Sequence, residues 1–478
     1  MKINKISLSP AKCAVDLGDG SERGLYVDQD YILDKLNRPH RGINLMYCYY
    51  PLDETFPQRA SEAYKGDQVS FAWDYAYDDY FTYKGGLEGD TSGEPFTFMR
   101  DVRRHGQDVV LTLTCDPHIN DEQITAIAKD LRTYGRIYLR LNHEATGDWF
   151  SFNKRASYEE VGAFFAHFAD IIHKEAPNVL MILCIDGLKS LDDEEVDQEK
   201  AFTEAIKKAD VWSTDKYLAL NWGWPFEVAE KDNSQHKLEP NEYVYNITKK
   251  TYERFSKICG GVKKPMLISE FNADGDVTGP YKQAELVKDF CERIKNDKDD
   301  WFSGFTFYQF RDDGRLGLEF TNPNNKNTGI EWPILKTYKE IINDDYFKPG
   351  ICEKEEVTLP TKLRWGNSED SDGLCLKLHF ENDPVFAEAN FNGSLKDMNL
   401  IIELNGKWFY KAPGITYVDF MSAFYDKKLN GPCDLNLNIF APPASGENDP
   451  DQGDDWQLNY YTEIDELPDI RIRYESIL

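Results

Sequence analysis

Residues 137–150 read Ile-Tyr-Leu-Arg-Leu-Asn-His-Glu-Ala-Thr-Gly-Asp-Trp-Phe. A strand-like run, Ile137–Leu141, leads straight into Asn142, His143 and Glu144, then into a loop carrying Gly147 and Trp149. The design returns at residues 265–272, Pro-Met-Leu-Ile-Ser-Glu-Phe-Asn, where an apolar strand delivers Glu270. In barrel enzymes the reacting groups project from the C-terminal ends of the strands. Two strands that each end in a glutamate therefore decide what the neighbouring segments should be.

Working outward, short apolar or β-branched runs occur at Ile43–Tyr49, Val69–Trp73, Val109–Cys115, Ile137–Leu141, Val179–Ile185, Val211–Thr214, Met266–Ser269 and Gly304–Phe310. Helical patterns separate them. Asn120–Tyr134 opens with Asn-Asp-Glu-Gln, and Ser157–Glu175 begins Ser-Tyr-Glu-Glu and places apolar residues three and four apart. Further helices are expected near Glu199–Ala209, Glu242–Ile258, Tyr281–Lys295 and Pro333–Ile342. Eight strands interleaved with helices over ~300 residues predict an α/β fold, a (β/α)8 TIM barrel. A doubly wound sheet is the alternative, weakened because no G-x-G-x-x-G or Walker-type lysine loop follows a strand.

After Pro349 the pattern changes to short alternating runs (Leu374–Phe380, Leu400–Leu404, Lys407–Tyr410, Asp434–Phe440, Ile470–Tyr474) separated by Asn392-Gly393, Asn405-Gly406 and Asn430-Gly431. Asn-Gly is a strong hairpin signal, so an all-β sandwich is expected. The expected division is residues 1–35 as an N-terminal extension, 36–348 as the barrel and 351–478 as the sandwich. Within the extension, Ile3–Leu8 reads as a strand able to pair with the sandwich. Trp365, Trp408 and Trp456 are either sugar platforms or part of a structural brace. The brace is favoured, since Trp408 sits in an alternating strand with one buried face.

The chain has 478 residues and a net charge of −29. Residues 351–478 hold 11 Lys and Arg against 24 Asp and Glu, so they carry −13 of it. Such acidity excludes a duplex-binding surface and disfavours anionic membranes, so no nucleic-acid or membrane partner is expected. The same charge favours a neutral substrate over uronate-rich or sulfated polymers. Aromatics at 14% argue for a folded chain. Nine single cysteines without C-x-x-C predict reduced, mostly buried thiols and no zinc site. Met-Lys-Ile-Asn-Lys-Ile is not followed by an apolar h-region, so no signal peptide is expected; the compartment is left open between cytoplasm and secretion. No apolar run approaches the ~20 residues of a membrane span. The acidic runs Asp192–Glu195 and Asp449–Asp455 read as a charged helix approach and a solvated loop, so no metal or cofactor is expected.

Two carboxylates facing one cleft suggest general acid/base chemistry, with environments that split their pKa values. Here a resemblance becomes specific. His143-Glu144-x-x-Gly147-x-Trp149-Phe150 resembles the acid/base motif of glycoside hydrolase family 26, β-mannanases of the retaining clan A barrels. Asp210-Val-Trp-Ser-Thr-Asp215-Lys-Tyr217 is similar to that family's strand-six segment, and Lys264–Glu270 to its nucleophile strand. The likeness covers roughly residues 40–345. It departs at strand eight, Phe305-Thr-Phe-Tyr308-Gln309-Phe, which lacks the usual Trp, and at strand three, which ends Cys115-Asp116-Pro-His118.

The resemblance implies a retaining double displacement on a β-mannan or β-glucan type polysaccharide. Glu144 would be the acid/base and Glu270 the nucleophile, with Tyr217 bonded to Glu270 and His143 bonding Glu270 or a sugar hydroxyl. Trp73, Trp149, Trp222 and Trp224 are candidate sugar-stacking residues. Asn142, Asn221, Asp116, His118, Tyr308, Gln309 and Arg311 are polar groups at strand ends placed to hold hydroxyls. The enzyme is expected to be monomeric and endo-acting. The alternatives are an intracellular exo-glycosidase on oligosaccharides, or a carbohydrate-binding protein on a degenerate barrel.

Overall fold

The computed structural model of the chain describes residues 3–18, 26–65, 75–186, 188, 191, 197–220, 240–312, 316–366, 370–448 and 458–475. Chain order begins with β1 (Ile3–Ser9), β2 (Ala14–Gly18), β3 (Gly42–Tyr49), β4 (Phe81–Thr82), β5 (Asp108–Cys115) and β6 (Ile137–Leu141). It continues through β7 (Val179–Cys184), β8 (Val211–Ala219), β9 (Met266–Ala273) and β10 (Gly304–Phe307). Strands β2, β3, β5, β6, β7, β8, β9 and β10 form a closed parallel ring, because β10 pairs with β2 and β2 with β3. The two-residue β4 lies outside the ring, beside β3. The α/β barrel expected from the sequence is therefore present.

Its eighth member corrects the sequence reading. Val69–Trp73 was expected to be a barrel strand, but residues 69–73 lie outside the described residues; the ring is completed by Ala14–Gly18. The boundary at residue 35 therefore falls within the barrel, not before it. The strand was hidden because Asp16 interrupts its apolar run. That carboxylate is buried and accepts two hydrogen bonds from buried Arg41, one of them at 2.8 Å, which offsets the burial of its charge.

Strands β3, β5 and β9 are buried along their whole length, one face toward the lumen and the other under helices. The helices begin where capping residues allow. Asn120 and Gln123 form a capping box on helix Asp121–Leu131, as do Ser157 and Glu160 on helix Tyr158–Glu175. Apolar faces of the latter, including Phe164, Phe168 and Ile172, reach the barrel core.

Beyond β10 come the short hairpin β11 (Glu319–Thr321) and β12 (Gly329–Glu331), then β13 (Gly350–Glu356), β14 (Thr361–Trp365), β15 (Asp372–Phe380) and β16 (Phe386–Asn390). The rest are β17 (Leu400–Leu404), β18 (Lys407–Lys411), β19 (Tyr417–Asp419), β20 (Cys433–Phe440), β21 (Tyr460–Ile464) and β22 (Asp469–Arg473). A six-stranded sheet runs β13-β1-β15-β20-β17-β18, accompanied by β19-β16-β22 and the pair β14–β21. Leu376, Phe380, Ala389, Ile402 and Ile439 are among the residues that fill the core of these sheets. Asn405 and Gly406 join β17 to β18 with φ of 56° and 89°, the left-handed pair that a tight hairpin requires. The N-terminal strand β1 lies between β13 and β15, as its sequence suggested it could.

Barrel and sandwich meet in an apolar cluster of Ile6, Leu8, Leu33, Trp365, Cys375, Ile401, Trp408 and Phe440. Trp365 is 1% exposed and Trp408 7%, so both belong to the brace and neither offers a free sugar platform; Trp456 lies outside the described residues. Gly106 has φ 74°, and a Cβ there would sit 2.5 Å from Ile401 and 2.9 Å from Trp365. The contact is that close. Among the described residues no helix is long and apolar enough to cross a membrane. Trp365→Ala should open a cavity at this junction and cost about 3–5 kcal/mol. Urea denaturation would show it as a lower midpoint; an unchanged midpoint would mean the tryptophan is not structural.

Candidate active site

Strand β6 ends in a turn whose backbone is unusual. Asn142 and Glu144 have φ of 47° and 51°. Asparagine tolerates the left-handed region, whereas glutamate rarely enters it, and such residues concentrate at functional sites. The turn is fixed by Asn142, whose carbonyl accepts from the Cys115 amide (2.6 Å) and whose amide donates to the Cys115 carbonyl (3.2 Å). Asn142, expected to hold a sugar hydroxyl, therefore ties β6 to β5.

Glu270 projects from β9 into the lumen and is 7% exposed. Arg140 donates to its Oε1 (2.8 Å) and Tyr217 to its Oε2 (2.7 Å). His143 Nε2 lies 3.8 Å from Oε1. Arg140, wholly buried, also donates to both oxygens of Asp215 (3.1 Å each), and its Nε donates to Thr112 Oγ1 (2.8 Å). Ser269 Oγ donates to Asp215 at 2.8 Å. Burial alone would lower the pKa of Arg140, but the charges of Asp215 and Glu270 override it and hold the guanidinium firmly protonated. Glu270 is thus clasped by a cation and a phenol, the partners an ionised carboxylate needs.

Glu144 has different surroundings. It is half-buried, and the donor on its carboxylate is Trp149 Nε1, at 3.0 Å from Oε2. Burial first, then the negative charges of Asp215 and Glu270, push its pKa well above the ordinary carboxylate value, with the Trp149 bond opposing. One carboxylate oxygen from each of Glu144, Asp215 and Glu270 lies within 4.8 Å of the others. The guanidinium of Arg140 supplies the positive charge within this trio. Burial and Glu270 raise the pKa of Asp215 as well, with Arg140 opposing. Burial and nearby Arg140 keep His143 well below its usual pKa, hence neutral, with its ring 4.6 Å from Phe150.

The other expected residues divide. Tyr308 stands edge-on to Tyr217 at 6.3 Å, beside the carboxylates. Gln309 is buried with its Oε1 unpartnered. Trp149 is 37% exposed at the rim. Asp116 and His118 were expected to hold sugar hydroxyls, but Asp116 is committed to the His118 ring (2.9 Å) and to Arg155 (2.6 Å). Arg155 also clasps Asp53 with two bonds, so this network buttresses the rim. Arg311 donates to Thr321 and lies over the Tyr26 ring, turned toward β11. Trp73, Asn221, Trp222 and Trp224 lie outside the described residues.

Three residues had no assigned role in the sequence reading. Arg140 and Asp215 could have been flagged as charges in strands that otherwise bury apolar side chains, since a charge there must find a partner. Tyr80 gave no such signal. It precedes β4, packs 6.0 Å from His143 and 6.1 Å from Phe150, and its phenol lies close enough to Glu270 and Glu144 to feel both charges.

No family model matches the sequence, and no curated protein matches it. Among solved structures, the catalytic domain of the Bacillus sp. JAMB-750 family 26 endo-β-1,4-mannanase is similar at 12% identity and TM-score 0.43, covering 70% of this chain and 87% of that one. The family 51 α-L-arabinofuranosidase AbfB from Bifidobacterium longum is similar at 9% identity and TM-score 0.43, covering 91% and 99%. The α-L-arabinofuranosidase of Thermotoga maritima is similar at 10% identity and TM-score 0.45, covering 91% and 97%.

A raised pKa at Glu144 has a measurable sign. The folded protein binds that proton more tightly than the unfolded chain, so Glu144 destabilises the fold increasingly as pH rises from the unfolded carboxylate range toward its folded value. Glu144→Gln should therefore melt higher than wild type at pH 8, by a few degrees. The gap should shrink at pH 4.5; a gap that does not depend on pH would contradict a protonated Glu144.

Proposed function

We propose that this chain is a retaining glycoside hydrolase that cleaves a neutral β-linked polysaccharide of the mannan or glucan type, acting within the chain. The observation that carries the reading is the approach of Glu144 and Glu270, with carboxylate oxygens within 4.8 Å. Retaining enzymes place their carboxyls about 5–5.5 Å apart, whereas inverting enzymes need ~6.5–9.5 Å to admit a water between them. The opposed environments support the same roles. Burial and neighbouring negative charge raise the pKa of Glu144, whereas Glu270 accepts hydrogen bonds from Arg140 and Tyr217.

In this mechanism Glu270 attacks the anomeric carbon as Glu144 gives its proton to the departing glycosidic oxygen. The product is a glycosyl ester on Glu270 and a carboxylate on Glu144. With Glu270 esterified, the negative charge has moved from Glu270 to Glu144. Glu144 then takes a proton from water, which attacks the anomeric carbon and releases Glu270. Tyr217 and Arg140 lose part of their hydrogen bonding in the ester and regain it as the carboxylate departs.

A neutral substrate agrees with the charges. Arg140 is occupied by Asp215 and Glu270, and Lys216 by Asp186, so these cations beside the site are already matched. Exposed Trp149, joined to Glu144, offers an indole on which a further sugar can stack, which suits cleavage inside a polymer.

The test is a panel of mannan, mixed-linkage glucan, xylan, xyloglucan and aryl glycosides, with wild type and Glu270→Ala. Wild type should lower the viscosity of at least one polymer, and proton NMR should show the β-anomer first. Glu270→Ala should retain less than about a thousandth of the rate. Monosaccharide as the sole product would favour exo action, an inverted first anomer would exclude the double displacement, and binding without product would leave a lectin-like barrel.

A further inference from the structure

Beside the candidate acid/base stands an ion pair that the mechanism above does not use. Lys216 follows Asp215 and precedes Tyr217 on β8, and its Nζ reaches Asp186 at 2.5 Å, just beyond β7. The lysine side chain is 11% exposed and the aspartate 31%, so the pair is shielded but still in contact with solvent. Asp186 is held against the Glu144 turn, because its backbone amide donates to Thr146 Oγ1 at 2.9 Å. One residue closer to Glu144, the Ala145 amide donates to the Cys184 carbonyl at 3.2 Å. The backbone of Asp186 is thus fixed beside the acid/base loop, and its carboxylate is held by Lys216.

We propose that Lys216 is a positioning residue whose charge cancels that of Asp186 at Glu144, so that this pair sets the pH above which the acid/base loses its proton. The inference rests on the reading of Glu144 as the acid/base. The groups bearing on Glu144 from the surrounding elements are Asp215 on β8, Glu270 on β9, Asp186 beyond β7, Tyr80 before β4, and neutral His143 and Trp149 on its own segment, while Lys216 on β8 reaches it through its pair with Asp186. Arg140 is already occupied by Asp215 and Glu270. Asp186 adds to the negative charge that keeps Glu144 protonated, after burial, Asp215 and Glu270. Lys216 is the cation matched to it. An acid/base must both give and recover a proton, so its pKa has to stay near the working pH. An uncancelled Asp186 would make Glu144 too weak an acid, and an uncancelled Lys216 would leave it ionised too early.

The two charges therefore act in opposite directions, a signature that a purely structural role does not produce. Lys216→Met should move the alkaline limb of kcat/KM up by roughly half to one pH unit, and Asp186→Asn should move it down by a similar amount. The double variant should return the limb close to wild type, and Lys216→Arg should keep it in place. A second readout does not depend on turnover: carbon-13 NMR titration of side-chain-labelled glutamate, with Glu144→Gln to assign the signal, should follow the same pattern. Single variants that move the limb in the same direction, or a double variant that fails to restore it, would overturn the proposal. If wild type cleaves no glycan, the functional reading fails, while the NMR titration still decides whether the pair controls Glu144.

Discussion

The architecture of the site depends on one buried guanidinium. Arg140 has no exposure to solvent, and an unpaired cation there would be too costly to keep. Asp215 on β8 and Glu270 on β9 make it tolerable, and each is in turn made tolerable by it. Breaking such a buried pair typically costs 3–5 kcal/mol, because what remains is a stranded charge. The planar fork also dictates position. One Nη faces Asp215, the other faces Glu270, and Nε is anchored by Thr112, which in turn accepts from Asn44. Five strands of the ring are thereby held in one polar layer.

The asymmetry between the two glutamates follows from that layer. Glu270 accepts a hydrogen bond from the guanidinium. Glu144 meets the negative charges of Asp215 and Glu270 and an indole N–H, and its pKa is raised. The difference comes from neighbours, not from residue type. Two glutamates at the ends of two strands meet different surroundings because the cation bonds one of them and an indole the other.

Much of this was legible in the sequence, and the remainder was hidden for identifiable reasons. Helices announced themselves by caps and apolar spacing, and the strands from Ile137 to Phe310 by β-branched runs. Ala14–Gly18 escaped because Asp16 breaks its run, and only Arg41, brought in by the fold, makes that acid acceptable in a strand. Glu144 and Glu270 stood out as strand-end acids. Asn142, Asp116 and Arg311 carry the same kind of polar chemistry, yet their hydrogen bonds go to backbone, Arg155 and Thr321. A polar residue at a rim serves a ligand or the scaffold according to partners that sequence spacing does not specify. Tyr80 comes from a segment with no periodicity, and its place beside His143 exists only in three dimensions.

The route of residues 3–18 has a consequence for how the two lobes are joined. Strand β1 is threaded between β13 and β15, and soon after it Leu17 in β2 pairs with both β10 and β3. Strand β1 is thus an internal strand of a sheet whose other members all follow the barrel in the chain, while β2 forms the seam of the ring. A protease cut between β10 and β13 would leave β1 non-covalently stitched into the C-terminal piece. The two lobes are chemically distinct yet topologically joined, because a strand of each comes from the same N-terminal stretch.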